Sequence, residues 1–298
     1  MTKNVVLGCG LGDLFTILGR LDDFFDKNKE YTSVRFWLWN WSPKLAKELV
    51  EIYSRSGKTV TVMCLDDMKD YILGALEGKG IGTEEAKKYF LSQNSSGEGI
   101  NKYREFINRF FPNMEQWLHM STYEKNKATF PFKLEVEPFK SDKPFFVVHP
   151  YSVQITTEKE ERKWKDSRWA WLLRTMVTYY DRHDIYIIGS AKDKIENNMH
   201  GFPKECIDLR GKSTLEETIA LIYGSDGVVG TNSWPTLVSA WGDIPTYSQW
   251  FVQEQLLQVS YPRASMPNLV IDKMIKSPTG MLTHPTGDLA WEKVRKVL

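Results

Sequence analysis

The stretch Val228-Val229-Gly230-Thr231-Asn232-Ser233-Trp234-Pro235-Thr236-Leu237 constrains the fold more than any other. An apolar run stops at a glycine, three small or polar residues follow, and a helix-like segment opens with a proline near its first turn. That is the order of a buried strand turning into a helix. Proline suits a helix start because its missing N–H would be unpaired there anyway. Such a helix end presents unpaired N–H groups and the positive end of the helix dipole, so it suits an anion such as phosphate. On its own the pattern is generic, and it gains meaning from the rest of the chain.

Strand and helix patterns alternate from the start. Residues 5–7 form an apolar run into Gly8-Cys9-Gly10-Leu11-Gly12-Asp13, and Leu14, Leu18 and Leu21, with Phe15 and Phe25, then recur at helical spacing. Residues 34–39 read as a strand, Ser42-Pro43 opens a helix to about residue 53, Gly57 ends it, and residues 59–65 read as a strand before Asp66-Asp67. Residues 83–120 read as helical with a break at 94–97, and residues 125–142 are irregular and carry prolines.

A second series begins with a strand at 145–149, a polar loop at 156–162, and a helix carrying Trp169, Leu172, Leu173 and Met176. Strands follow at 185–188, ending in Gly189-Ser190, and at 206–209. Ser213-Thr214-Leu215-Glu216 starts a helix with Glu216 as the capping-box partner. The strand at 227–230, a helix to Gly242, a strand at 245–248 and a final helix at 290–298 complete the series.

This alternation predicts an α/β fold of parallel sheets with helices on both faces. Two series across one join predict two Rossmann-like domains, residues 1–140 and 141–298, with room for the last helix to pack back on the first. Ligands of such sheets lie outside the carboxyl ends of the strands. Both glycine-bearing turns fall at those ends, so the expectation is that they face each other across a cleft.

Composition narrows the function classes. The chain has 298 residues, 42% hydrophobic and 26% charged, and a formal net charge of +1. That balance gives no bulk attraction to nucleic acid or anionic membrane. No apolar run approaches the ~20 residues of a membrane span, and no signal-peptide pattern is present. Cys9, Cys64 and Cys206 are widely spaced and odd in number, which argues against a disulfide framework and for a reducing, cytoplasmic setting. The histidines His119, His149, His183, His200 and His284 lack metal-ligand spacing, so no metal site and no bound cofactor are expected. Eleven tryptophans suit clefts that stack on flat or sugar-like ligands, and equally suit cores.

Gly8, Gly10 and Gly12 miss the dinucleotide spacing. They match the Gly-x-Gly-x-Gly spacing of S-adenosylmethionine-dependent methyltransferases, but the second strand ends Trp39-Asn40-Trp41 without the ribose-binding carboxylate of that class. A third reading has the glycines bring a substrate against the backbone, with Asp13 taking a proton from a hydroxyl. Asp13 can equally serve as a helix cap. The run Glu161-Arg162-Lys163-Trp164-Lys165-Asp166-Ser167-Arg168-Trp169 places cations at a helix start, where they oppose the dipole; a bound diphosphate would explain them. His149, before Pro150 at a strand end, is a further candidate, and no nucleophile elbow or Walker loop is present.

Taken in order, these pieces resemble glycosyltransferase family nine, the ADP-heptose:lipopolysaccharide heptosyltransferases. Gly10-Leu11-Gly12-Asp13-Leu14 resembles the family's glycine-aspartate turn, and Arg162-Lys163-Trp164 with Arg168-Trp169 its Lys-x-Trp-Pro segment. Ile187-Ile188-Gly189-Ser190 resembles its strand before a nucleotide-contacting loop. Leu209-Arg210-Gly211-Lys212-Ser213-Thr214-Leu215 resembles its Leu-x-Gly-Lys-Thr-Ser-Leu segment, and the opening stretch its Val-Val-Gly-Asn-Asp-Ser-Gly-Pro run.

The resemblance implies a GT-B fold and an inverting, metal-independent transfer from a nucleotide-diphosphate sugar, the donor substrate, to an acceptor hydroxyl. It implies Asp13 as general base. It implies Arg162, Lys163, Ser190, Asp193, Lys212, Thr231, Asn232, Ser233 and Trp234 on the donor side and Gly10 and Gly12 on the acceptor side, where His149 is added for its place at a strand end. The acceptor is a saccharide, or a hydroxymethylated base in phage-type DNA reached through basic stretches such as 102–109 and 125–140. The chain departs from the family at Asn232, Trp234 and Leu237, where aspartate, glycine and histidine are usual. Heptose and ADP are therefore not carried over, and a non-catalytic nucleotide-sugar or glycan-binding protein stays open beside the methyltransferase.

Overall fold

Two α/β units make up the chain, Met1–Thr129 and Phe130–Leu298. The structure, a computed structural model, describes residues 1–8, 10–39, 43–57, 59–63, 131–151, 164, 166–196, 201–250, 268–273, 275–276, 282–283 and 287–298. The segments 64–130 and 152–163, with the helix expected over 83–120 and the caps Asp66-Asp67, lie outside the described residues.

In the first unit the apolar run extends into β1 (Thr2–Gly8) and leads to α1 (Leu11–Leu18) and α2 (Leu21–Lys27). After them come β2 (Ser33–Trp39), α3 (Pro43–Ser54) and β3 (Val60–Met63). The three strands are parallel in the order β1-β2-β3, with Val5 beside Phe36 and Phe36 beside Val62. In α3 the buried residues Ala46, Leu49, Val50 and Tyr53 fall at i, i+3, i+4 and i+7, one helical stripe turned inward. The spacing from Leu14 to Phe25 predicts one helix, whereas the chain folds two. Gly19 ends α1, its N–H returning to the Phe15 carbonyl at 3.1 Å, and Leu21 starts α2 on the buried side. Glycine's poor helix propensity favours the break there.

The second unit holds β4 (Phe145–His149), α4 (Asp166–Tyr179), β5 (Asp184–Ile187), α5 (Ala191–Glu196) and β6 (Ile207–Asp208). It continues with α6 (Leu215–Gly224), β7 (Gly227–Thr231), α7 (Trp234–Trp241), β8 (Thr246–Trp250) and β9 (Leu269–Lys273). A two-stranded antiparallel ladder of β10 (Ile275–Lys276) and β11 (Leu282–Thr283) precedes α8 (Gly287–Val297). Six strands form one parallel sheet in the order β6-β5-β4-β7-β8-β9. All five residues of β4 and of β7 are buried, as expected of strands covered on both faces.

On one face Phe146, Val148, Ile185, Ile187, Val229 and Tyr247 pack with Trp164, Trp169, Leu172, Leu173 and Met176, and with Ala290 and Val294 of α8. Each such large side chain, fully buried, contributes ~1.5–3 kcal/mol. On the other face α7 packs on β7 and β8 and against α6. The last helix, given room in the sequence reading to pack back on the first domain, packs on α4, β8 and β9 of its own unit.

The inner side of α8 is fixed by a polar contact as well as by apolar ones. Asp272 is 1% exposed; its Oδ2 accepts the Tyr247 hydroxyl at 2.8 Å, and its Oδ1 accepts Lys293 Nζ. Lys293→Ala leaves that carboxylate buried with the tyrosine. We expect a loss of about 2 kcal/mol in urea unfolding, the worth of a hydrogen bond to a charged group. An unchanged midpoint would show that water replaces the ammonium at no cost.

Other elements differ in detail from the sequence reading. The cap of α6 is Thr214, and its reciprocal partner is Glu217 rather than Glu216. Thr214 N donates to Glu217 Oε2 at 2.7 Å, and Glu217 N donates to Thr214 Oγ1 at 3.1 Å. The expected strand 206–209 contracts to two residues. Helix α5, β9 and the β10–β11 ladder carry no periodicity long enough to predict them.

Candidate functional site

Numbered along the chain, the second unit's strands lie in the order 3-2-1-4-5-6, so the connections reverse direction between β4 and β7. In doubly wound sheets the crevice at the carboxyl ends of such a strand pair is where ligands bind. The opening stretch of the sequence sits at that point. His149, the last residue of β4, lies in register with Gly230 of β7. Ser233, the N-cap of α7, places its Oγ 2.9 Å from His149 Nδ1. Gly230 permits this closeness: a Cβ there would lie 2.9 Å from the His149 carbonyl and 3.0 Å from Thr236 Cγ2.

Most polar groups of the turn are spent on holding it. Asn232 N–H donates to the Gln249 carbonyl at 2.8 Å, and Ser233 N–H donates to Thr236 Oγ1 at 3.3 Å. Thr236 Oγ1 donates to the Ser233 carbonyl at 2.9 Å. Thr231 is buried, its hydroxyl facing the His149 carbonyl at 3.5 Å. Pro235 has no N–H, which makes Trp234 N–H the leading first-turn donor of α7. No acidic residue stands in that first turn to neutralise the dipole. Asn232, Ser233 and Trp234 are half-buried, so the turn remains partly open to solvent.

His149 is buried, and burial pushes its imidazole down to about 4, with the Asp193 carboxylate pulling the other way. The ring is therefore neutral at pH 7. From pH 6.5 down towards 4 the unfolded chain binds a proton that the folded His149 refuses. Stability from this group is therefore complete above about 6.5 and falls as the pH drops through that window. His149→Asn should flatten the decline in urea midpoint between pH 7 and pH 4.5; an unaltered slope would assign the decline to other groups.

The neighbouring strand ends carry the other donor-side candidates. After β5, Asp193 Oδ2 accepts both Ser190 N–H and Ser190 Oγ–H at 2.7 Å, which ties down the start of α5. Lys212 is exposed, and its Nζ donates to the Asp208 carbonyl at 2.6 Å. Sequence reasoning passed over Arg210, which is 3% exposed at the end of β6. Its guanidinium reaches Asp208 through Nε at 3.0 Å and Nη2 at 3.3 Å, donates from Nη1 to the Asp193 carbonyl, and lies 5.8 Å from the centre of the Tyr151 ring. Tyr151 in turn donates to Asp166 Oδ1 at 2.9 Å; burial and that carboxylate raise its pKa. The sequence signal for Arg210 is an arginine between the expected strand 206–209 and a glycine; Gly211 sits at φ 69°, where a Cβ would lie 2.7 Å from Ala191 Cα.

In the first unit Gly10 is the N-cap of α1, and Gly12 and Asp13 lie in its first turn. Gly10 N–H donates to Asp13 Oδ2 at 3.0 Å. That bond orients the half-buried carboxylate at the carboxyl end of β1. Arg162 and Lys163 lie outside the described residues. His149, grouped with Gly10 and Gly12 by the sequence reading, is joined to Ser233 of the donor set. Among the described residues no group of three or more His, Cys, Asp or Glu is placed to hold a metal, and no helix is long and apolar enough to cross a membrane.

Solved structures share this architecture. A glycosyltransferase family 9 protein from Veillonella parvula aligns with a TM-score of 0.63 at 11% identity, over 99% of this chain and 96% of that one. The ADP-heptose lipopolysaccharide heptosyltransferase II of E. coli gives 0.63 at 14% identity, over 99% and 98%. An E. coli heptosyltransferase with ADP gives 0.57 at 10% identity, over all of both chains. No curated protein sequence matches the chain. The two parallel α/β units are those of the GT-B fold. The model of glycosyltransferase family 9 (heptosyltransferase) matches residues 79–246, more than half the chain, and the protein belongs to that family. The methyltransferase reading of Gly8, Gly10 and Gly12 falls with that membership.

Proposed function

We propose that the chain moves a sugar from a nucleotide-diphosphate donor to an acceptor hydroxyl, with inversion and without a bound metal ion. The observation that carries this reading is the turn at the β4–β7 switch point, where Ser233 and the start of α7 meet His149. Residues 141–298 hold the donor. The Ser233 hydroxyl and Trp234 N–H bind diphosphate oxygens, Arg162 and Lys163 add positive charge, and Thr231 and Asn232 shape the turn. Ser190, Asp193 and Lys212 flank the nucleotide.

Residues 1–140 bind the acceptor, with Gly10 and Gly12 allowing close approach to the backbone. Asp13 takes the acceptor proton as its oxygen attacks the anomeric carbon from the side opposite the diphosphate. The new carbon–oxygen bond forms as the bond to the diphosphate breaks, which inverts the centre. The charge left on the diphosphate is met by the dipole of α7 and the basic residues, the work a divalent cation does elsewhere.

ADP sugars head the donor panel because one similar structure is an ADP-heptose transferase and another holds ADP. Trp234 stands where the family has glycine, which narrows or reshapes the donor site, so UDP and GDP sugars stand beside them. The acceptor is a saccharide. A thermal-shift screen over nucleotide sugars, followed by transfer assays, tests the reading. We expect stabilisation by one nucleotide-diphosphate sugar and transfer that persists in EDTA. Activity lost to the chelator and restored by a metal ion would overturn the metal-free step. Donor binding without transfer to any saccharide or to hydroxymethylated duplex DNA would favour a non-catalytic binding protein, a reading supported by the departures at Asn232, Trp234 and Leu237.

A further inference from the structure

We propose that His149 is the positioning residue of the donor site: its Nδ1–H donates to Ser233 Oγ and so frees the serine hydroxyl to donate to a phosphate oxygen. This rests on the donor reading above and adds to it a residue on β4, whose chemistry is felt only through Ser233.

The count of hydrogens sets the direction of this bond. Serine has one O–H and two lone pairs, and a neutral imidazole has one N–H and one lone pair. Ser233 Oγ and His149 Nδ1 are 2.9 Å apart, so one proton lies between them. If the serine supplies it, Ser233 has only lone pairs left for a phosphate, and the contact is repulsive. If the histidine supplies it, the serine O–H is left over and points away from the ring. An anion at the start of α7 therefore selects the Nδ1–H tautomer.

The fold holds both partners for this task. His149 ends a fully buried strand and is itself 6% exposed, so its ring has little room to turn away. Ser233 is fixed by backbone bonds in both directions: its N–H donates to Thr236 Oγ1, and its carbonyl accepts Leu237 N–H at 3.2 Å. Its Oγ faces His149 Nδ1 at the start of α7. Gly230 lets the two strand ends close to this distance. Ser233 is in ordinary extended backbone, φ −163° and ψ 179°. It lacks the strained turn of a nucleophile elbow, and a positioning role suits the pair better than attack by the serine.

The test uses the full chain with ADP, UDP and GDP as probes in titration calorimetry. Wild type should bind one of the three. Ser233→Ala and His149→Ala should each weaken that binding by ~10–100-fold, the worth of a hydrogen bond to a charged group. The double variant should be no weaker than either single one. His149→Asn, whose amide N–H can stand near Nδ1, should restore most of the affinity and keeps the test open if the alanine variant does not fold. In the nucleotide complex, ¹⁵N spectra of histidine-labelled protein should show His149 protonated at Nδ1.

A Ser233→Ala loss beside a wild-type His149→Ala affinity would overturn the positioning role and leave the donor site standing. So would fully additive losses, or an Nε2–H tautomer in the complex. Unchanged affinity in Ser233→Ala, or no binding of any probe by wild type, would overturn the donor reading itself.

Discussion

Asp13→Asn should lower sugar transfer by about 10²–10⁴-fold while nucleotide affinity stays at its wild-type value. The substitution keeps the shape of the side chain. It also keeps the bond that orients it, because an amide oxygen can accept Gly10 N–H as Asp13 Oδ2 does at 3.0 Å. What it removes is basicity: an amide cannot take the acceptor proton. The expected loss corresponds to ~3–5 kcal/mol in the barrier, close to what one placed base supplies. Losing the charge near the positive end of α1 costs stability as well, though only ~0.3–1 kcal/mol. A melting scan beside the rate assay separates the two effects. If Asp13 serves only as a helix cap, transfer persists and stability alone falls. Full activity in the variant would remove Asp13 from the chemistry, and a matching loss of nucleotide affinity would move it to the donor side.

The places of Asp13 and Gly10 at the start of α1, and of the strand-to-helix turn at α7, were legible because each is set locally. A five-residue run such as 145–149, set between an irregular stretch and a polar loop, is long enough for a buried strand and too short for a helix, and the structure gives it the predicted bounds. The Pro235 rule places the start of α7 for the same reason, since proline acts within its own turn. The cap of α6 shows where local reading slips. Ser213 and Thr214 are both good caps, and each implies a different glutamate three residues on. The fold uses Ser213 elsewhere, its Oγ 2.9 Å from Thr218 Oγ1, and leaves the cap to Thr214.

The pairings that assemble the site were beyond sequence reasoning because they join distant segments. Ser233 meets His149 across 84 residues through the register of two parallel strands. No periodicity in either segment encodes that register. The buried Arg210 is a similar case. Its neighbours Asp208 and Gly211 are local, but its place over Tyr151 follows from β6, β5 and β4 lying side by side. His149 shows how little a strand end reveals without its neighbour, since only the folded chain sets its ring 2.9 Å from Ser233 Oγ. Its place at a strand end marks it as a candidate, and the turn after β7 supplies the group it touches.

Gly230→Ala, a single methyl group in the stretch that constrains the fold most, should cost roughly 1–3 kcal/mol of stability and weaken nucleotide binding with it. The added Cβ would lie 2.9 Å from the His149 carbonyl, 3.0 Å from Thr236 Cγ2 and 3.2 Å from His149 Cβ. None of the three can swing aside. The carbonyl and the Cβ belong to a strand paired on both edges, to β5 and to β7, and Thr236 is fully buried in the first turn of α7. Relief comes only from spreading β4 and β7 at their carboxyl ends, which carries Ser233 away from His149. Stability and affinity should therefore fall together, with the melting temperature down by ~2–4 °C for each kcal/mol in a chain of this order of size. A variant with an unchanged melting point and unchanged affinity would mean that the switch point has room for a side chain. The glycine would then mark only the end of a strand. The combined loss would show that the same close approach that ends the strand also builds the anion site, linking the apolar run, the glycine and the serine in one piece of geometry.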